Sequence, residues 1–335
     1  MASFLSVCLN PTLQKTLRFS RIQPDRVNRT ATHRLDASGK GVNVSRVLKQ
    51  LGQSVVHLTQ LGGSLRPLFL ELCEQDHLDV RWVESNSPIR FCYTLIEEST
   101  HTVTELVEES EAVAPDTEEN IKTRFLEILA TDFAPSSHHT ETHKQKSAVP
   151  TLIISGTKAR GFSADIFPFM VQRAREQGMQ IILDIRGEDL LRCLPYHPHV
   201  IKPNFDEFVG TFLPDRTAHH TTATSSSSEN SKEASQAPLA ALVQETALEI
   251  QKTYGCQIIL TRGSQSVWAF ERGKFIEQNI EPVLPVNTTG CGDAFTAGIA
   301  SALAAGASLE EALQEGIRCG ALNAALLKPG SIVAE

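Results

Sequence analysis

The sequence predicts an α/β protein: a central, mostly parallel sheet flanked by helices on both faces. Three observations predict it. From Val55 to the end, short apolar runs of strand length alternate with longer runs of helix-forming residues. Glycines mark the joins, above all in Ser38-Gly-Lys-Gly41 and Gly290-Cys-Gly292, and each of these opens a helix-forming stretch. Composition is ordinary for a globular chain, 41% hydrophobic and 21% charged, and 335 residues fit one large α/β core.

In chain order, Phe4 to Leu9 is an apolar strand that ends in Asn10-Pro11. Thr12 to Leu17 and the polar run to His33 read as a strand or loop that leaves the main sheet. The turn at Gly39 opens a helix through Leu51, and Gly52 stops it. Val55 to Gln60 is a strand, Gly62-Gly63 a turn, and Leu68 to Gln75 a helix. Ile89 to Ile96 and His101 to Val107 are β-rich segments joined as a hairpin. Asp116 to Ala130 is an amphipathic helix with Asp-Thr at its start. The stretch from about 131 to 150 reads as a surface insertion, and its His138, His139 and His143 have no carboxylate or cysteine scaffold for a metal. Thr151 to Ser155 is a buried-type strand, Ser163 to Gln177 a helix, and Gln180 to Asp184 a strand. The Ser/Thr-rich segment from about 214 to 238 cannot build a core and reads as a second insertion. Then come a helix from Leu239 to Tyr254, a strand and turn from Cys256 to Gly263, and a hairpin across Arg272-Gly273. Val283 to Val286 reads as a strand end, Ala294 to Ala305 as a helix capped by Gly306, and Leu309 to Leu327 as the closing helix.

Charge and cysteine usage narrow the function. A net charge of −8 and a pI near 5.8 argue against nucleic-acid or membrane-surface partners, so any phosphate chemistry must use local positive charge. No long uncharged apolar run spans a bilayer. The first ten residues lack a basic leader segment and read as a strand. Seven cysteines without a Cys-x-x-Cys pair fit reduced, buried thiols, and hence a cytoplasmic location.

The stretch that carries chemistry is Pro285-Val-Asn-Thr-Thr-Gly-Cys-Gly-Asp-Ala-Phe-Thr-Ala-Gly298. Its glycines let backbone N–H groups converge at the positive end of a helix, which suits an anion. Asp293 at the helix start could take a proton from a hydroxyl attacking a phosphoryl group. On local pattern alone, a glycine turn with an acidic first-turn residue is an equal reading. The spacing is not the dinucleotide fingerprint, since Phe295 stands at the third glycine, and Gly39-Lys40-Gly41 is not a Walker A loop. In Lys202-Pro-Asn-Phe-Asp-Glu207, Asn204 and Glu207 are three apart at a helix start and share a face, and their oxygens suit hydrated Mg²⁺.

Gly290-Cys-Gly-Asp293 resembles the Gly-Ala-Gly-Asp signature of the PfkB (ribokinase-like) carbohydrate kinases, with Cys291 in place of alanine. Lys202-Pro-Asn-x-x-Glu207 resembles the Asn-x-x-Glu signature of that superfamily. Leu9-Asn-Pro-Thr-Leu13 and Ser38-Gly-Lys-Gly-Val-Asn43 resemble Leu-Asn-Pro-Ala-Leu and Gly-Gly-Lys-Gly-Ile-Asn of its hexose-phosphate branch, that of 1-phosphofructokinase and tagatose-6-phosphate kinase. Arg90 matches the arginine of a Thr-Arg pair, and Thr261-Arg-Gly263 resembles a Ser-x-Gly element beside ATP. The chain departs from the pattern at Gln14, where the branch has a sugar-binding Asp, and at Lys158-Ala-Arg160, where it has Leu-Pro-Pro.

The resemblance implies a single ribokinase-like domain over 1–335, with a small β-sheet lid from segments about 11–35 and 88–108. It implies γ-phosphoryl transfer from ATP, with Mg²⁺, to a ketohexose phosphate. Fructose 1-phosphate, giving fructose 1,6-bisphosphate, comes first; tagatose 6-phosphate and fructose 6-phosphate are the alternatives. Asp293 would be the base, with Gly290, Cys291 and Gly292 supplying N–H groups to the transferring phosphoryl. Gln14, Gly39, Lys40, Asn43 and Arg90 would bind the sugar phosphate. Lys202, Asn204, Thr261 and Gly263, with Gly290 and Gly292, would bind ATP, and Asn204 and Glu207 would hold the metal, directly or through water. The lid of the family often pairs between subunits, which implies a homodimer. A nucleotide or sugar-phosphate binding protein without catalysis is the rival from another class; Asp293 and Glu207 weigh against it.

Overall fold

The computed structural model describes residues 3–134, 149–214 and 229–334, without the side chains of 229–237. The N-terminal half runs β1 (Phe4–Cys8), β2 (Thr12–Phe19), β3 (His33–Ser38), α1 (Lys40–Gln50), β4 (Val55–Gly62), α2 (Arg66–Gln75), β5 (Asp79–Ser85), β6 (Arg90–Glu97), β7 (Thr102–Val107) and α3 (Pro115–Asp132). Next come β8 (Thr151–Ser155), α4 (Ile166–Glu176), β9 (Gln180–Asp184), α5 (Gly187–Cys193), β10 (Val200–Ile201) and α6 (Phe205–Phe212). The chain closes with α7 (Glu229–Tyr254), β11 (Gln257–Leu260), β12 (Val267–Glu271), β13 (Lys274–Gln278), α8 (Cys291–Ala304) and α9 (Leu309–Ala324).

The main sheet has nine strands in the order β13-β12-β11-β10-β9-β8-β1-β4-β5. Every pairing from β11 to β5 is parallel, and the two pairings at the other edge, β11–β12 and β12–β13, are antiparallel. Parallel strands need crossover connections, and the helices that supply them cover both faces. Alternation along the strands divides the core. In β8, Leu152 and Ile154 join Phe125, Phe167 and Phe208 of α3, α4 and α6, while Ile153 turns to Val47, Phe295 and Leu313 of α1, α8 and α9. Burial on both faces explains why these strands read as unbroken apolar runs.

A separate four-stranded sheet has the order β3-β2-β6-β7. Gln14 lies opposite Cys92, and Thr94 opposite Glu105, so one face carries Gln14, Arg90, Cys92, Thr94 and Glu105. That face looks into the cleft described below. The other carries Phe91, Tyr93 and Leu95, all half-buried.

Four features differ from the sequence reading. β5 is a further edge strand; its Asp79, Arg81 and Glu84 disguise it, and charge is what an edge tolerates. α5 is too short for a period to register. Val283 to Val286 is not a strand, as Pro285 can give no ladder hydrogen bond there. α7 starts at Glu229, so the end of the segment expected without structure at 214–238 is helical, Pro238 included. The rest of that segment from 215, and 135–148 of the other expected insertion with its three histidines, lie outside the described residues. No helix among the described residues is long and apolar enough to cross a membrane. All seven cysteines are free, and all but Cys291 are buried.

Candidate active site

The site lies along the carboxyl ends of the parallel strands, where open α/β sheets bind ligands. Asn10 follows β1, Ser155 ends β8, Asp184 ends β9, Lys202 follows β10 and Thr261 follows β11. Two helix starts complete it. Gly39 is the cap residue of α1, at φ 113°, and Gly290 is that of α8, at φ 85°. A Cβ on Gly290 would lie 2.3 Å from the Gly330 nitrogen, so this turn tolerates only glycine. Gly292 has open space beside it.

Most of the expected residues meet in one cleft of about 440 Å³. Gln14, Lys40, Asn43 and Arg90 line one side; Lys202, Asn204, Glu207 and Thr261 line another; Gly290, Gly292 and Asp293 close it. Cys291 and Gly263 are not in its wall. The Cys291 N–H turns back to Thr288 O at 3.3 Å, so the first-turn donors that remain are those of Gly290, Gly292 and Asp293. A second cleft of about 600 Å³ adjoins the first and shares Lys40, Arg90 and Glu207.

Asp293 sits inside the first turn of α8, 6% exposed. Asn43 donates from Nδ2 to its Oδ2 at 2.8 Å. Burial pushes its carboxyl up to about 7, with Asp184 adding to the rise, while Lys40, Asn43 and Lys202 pull the other way. A group poised near neutral pH suits proton transfer.

Asp184, to which the sequence reading gives no role, stands at the centre of the site's charges. It is fully buried, accepting from Ser155 Oγ at 3.2 Å and Thr296 Oγ1 at 3.1 Å. Its other oxygen faces Lys202 at 3.3 Å and Lys40 at 3.6 Å. Burial alone would raise its pKa, but the two lysines hold it below the ordinary carboxylate range. The available signal was a single acid closing an apolar parallel strand. Lys40 also faces Glu207 at 3.6 Å, and Asp184 first, then Glu207, raises the Lys40 ammonium above its usual value. Lys202, expected at the nucleotide phosphates, lines the cleft, is 3% exposed and faces Asp184.

Asn204 and Glu207 have a structural task that spacing also announces. Asn204 Oδ1 accepts from Glu207 N at 2.8 Å and Glu207 Oε2 accepts from Asn204 N at 3.0 Å, which is a capping box starting α6. One carboxylate oxygen of Glu207 remains, facing Lys40 and, at 3.9 Å, Arg186. No group of three or more His, Cys, Asp or Glu among the described residues could cage a metal. The donors fit Mg²⁺ carried on nucleotide phosphates, with Glu207 reached directly or through water, rather than an all-protein site.

On the side of the smaller sheet, Gln14 is buried and donates to Thr94 Oγ1 at 2.7 Å. Thr94 touches Thr289 at 3.3 Å, and Thr289 donates to Glu105 at 3.1 Å, so the smaller sheet is tied to the turn before Gly290. Arg90 spends Nη1 on Glu108 O at 2.8 Å and has a buried Nε without a partner. Lys158, one of the two cations that depart from the family pattern, is ion-paired with Asp189 and lies over the Phe167 ring; Arg160 is exposed at the second cleft.

Known proteins resemble this chain over nearly its whole length. A tagatose-6-phosphate kinase from Staphylococcus epidermidis is 29% identical over 331 residues, 98% of this chain and 94% of the relative. Phosphofructokinase-2 from Escherichia coli in complex with substrates and products superposes with a TM-score of 0.75 at 21% identity, covering 97% of this chain and 93% of that one. A possible 1-phosphofructokinase from Thermotoga maritima gives 0.74 at 19% identity, covering 97% and 92%. These likenesses establish a ribokinase-like fold. The model of the pfkB family carbohydrate kinases matches residues 9–332, and the chain belongs to that family.

Proposed function

We propose that this protein transfers the γ-phosphoryl group of ATP to a hydroxyl of a ketohexose phosphate. The observation that carries the proposal is Asp293: a buried carboxyl held near pH 7, beside the open N–H groups that start α8, in a cleft edged by Lys40 and Arg90. Asp293 takes the proton of the attacking hydroxyl. The new O–P bond forms as the bond from the γ-phosphorus to the β–γ bridging oxygen breaks, and ADP leaves. Negative charge gathering on the transferring group meets the N–H groups of Gly290 and Gly292. Bound Mg²⁺ would neutralise the nucleotide phosphates, with Glu207 and the Asn204 turn on its protein side.

The sugar phosphate lies toward the smaller sheet, which closes over it. Arg90 and Lys40, both in the cleft wall, take its phosphate. Gln14, Asn43 and Gly39 meet the sugar. Thr261 and Asn204 flank the nucleotide, with Gly263 on the same turn. Lys202 acts through Asp184, which holds Lys40 in place. The half-buried Phe91, Tyr93 and Leu95 support pairing of two copies through their smaller sheets, and the free thiols suit the cytoplasm.

Fructose 1-phosphate is the substrate we assign first. A second reading, tagatose 6-phosphate, is favoured by the Staphylococcus relative. Coupled measurement of ADP release with fructose 1-phosphate, fructose 6-phosphate and tagatose 6-phosphate separates them by kcat/KM. Turnover of one of the three, lost in Asp293→Asn, is the expected result. ATP binding without turnover of any would replace the kinase by a binding protein.

A further inference from the structure

Arg46, on α1, is the largest completely buried side chain among the described residues, at 1% exposure. A guanidinium in that position is costly unless each donor is matched, and an apolar residue would pack there at less cost. Its donors are matched by four separate parts of the chain. Nε donates to Asp76 Oδ2 at 2.6 Å, at the end of α2, and Asp76 is also paired with Lys328. Nη2 donates to Ala37 O in β3. Nη1 donates to Pro329 O at 3.0 Å and to Asn43 Oδ1 at 2.9 Å.

The last of these bears on the reacting group. An amide can present either its oxygen or its NH₂ to a neighbour. Arg46, with Ser38 Oγ at 3.1 Å, claims the Asn43 oxygen, and the NH₂ is thereby directed to Asp293 Oδ2. Were the amide reversed, its oxygen would face the carboxylate. The Asn43 and Arg46 side chains are one turn apart on the same helix face, so the orientation is set locally. Pro329 and Gly330, held by the same guanidinium, lie under Gly290, whose backbone they contact.

We infer that Arg46 is a positioning residue: it fixes the Asn43 amide so that its NH₂ meets the Asp293 carboxylate, and it thereby sets the pH at which Asp293 accepts a proton. The kinetic consequence rests on the proposed role of Asp293; the orientation itself does not. The charged groups facing Asp293 are Lys40 from α1, Lys202 after β10 and Asp184 from β9, and none of them changes in the test.

The test follows the Asp293 carboxyl by ¹³C NMR in aspartate-labelled protein, its resonance assigned as the one that Asp293→Asn removes. In Arg46→Met the midpoint should rise by about one pH unit, and the acid limb of kcat should rise with it. Because Arg46 acts through Asn43, the double variant Asn43→Ala/Arg46→Met should titrate like Asn43→Ala alone. An unmoved midpoint, a shift that adds to that of Asn43→Ala, or an equal shift from Ser38→Ala with none from Arg46→Met would each overturn the inference. If Arg46→Met loses its near-ultraviolet circular dichroism, Asp76→Ala, which leaves the guanidinium without its acceptor at Nε, is read by the same outcomes. A moved NMR midpoint in a protein that turns over no sugar phosphate would leave the positioning intact and reject the kinase reading.

Discussion

Two glycine turns face each other in this protein and place opposite charges at the starts of two packed helices. Gly39 opens α1 with Lys40 as its first residue; Gly290 opens α8 with Asp293 in its first turn. The positive end of a helix favours an anion, so the dipole opposes Lys40 and favours Asp293. The titration behaviour runs the other way. Lys40 keeps its charge firmly, because Asp184 and Glu207 face it. Asp293 is pushed up to about 7 by burial. A helix dipole is worth about 1 kcal/mol, whereas a displacement of about three pH units corresponds to about 4 kcal/mol. Burial and ion pairing decide the charge state here, and the dipole only trims it.

Removing the carboxylate breaks the comparison most severely. Asp293→Asn should lower kcat by about 10²- to 10⁴-fold while ATP still binds. The same variant should be more stable at high pH. A folded-state pKa raised above the unfolded value gives stability that is full below about 4 and is lost as pH rises through about 7. The melting temperature of Asp293→Asn, relative to the native protein, should therefore gain roughly 5 °C between pH 5 and pH 8. A gap that does not change with pH would mean that the buried carboxyl titrates normally.

Arg90→Ala tests the cationic side away from the base. A charge-assisted bond is worth roughly 1.5–3 kcal/mol, so KM for the sugar phosphate should rise about 10- to 100-fold, with KM for ATP nearly unchanged. Equal rises in both would place Arg90 outside the sugar pocket. The smallest effect is expected from Glu207→Gln. Glutamine keeps an oxygen for the Asn204 N–H, so α6 stays capped. The Mg²⁺ needed for half-maximal rate should rise about threefold or more, because a hard cation loses an anionic oxygen. An identical Mg²⁺ titration would reduce Glu207 to its capping role.

Most of the fold is legible in the sequence because its strands are buried on both sides. Leu152-Ile-Ile154 and Ile181-Ile-Leu183 can be little else, and Gly52, Gly290 and Gly306 mark helix ends by conformation rather than by chemistry. β5 and α5 escape because an edge strand carries charges and a seven-residue helix has no period to show. The site is legible where a motif names a residue, as at Asp293, Lys40 and Arg90. It is illegible where roles depend on what surrounds a residue. Lys202 reads as a phosphate ligand with no sign that Asp184 stands beside it, and Asn204-x-x-Glu207 reads as a metal motif although the same spacing spells a capping box. Arg46 looks like a solvent-facing helix arginine, since nothing local says that Asp76 and Pro329 will close around it.

The contact between Arg46 and Pro329 spans 283 residues. During synthesis, the turn at Gly39 therefore emerges long before the segment that underlies Gly290. Until that segment arrives, Gly290 lacks the backbone against which its turn is pressed, and the Arg46 guanidinium lacks one of its acceptors. Contacts so distant in sequence form late and close large loops. A nascent chain that stops short of Pro329 would carry Lys40 and Asn43 on α1 with the turn at Gly290 unsupported. The turn at Gly290 is in that sense timed by the chain itself: it is completed only after Pro329 and Gly330 have emerged.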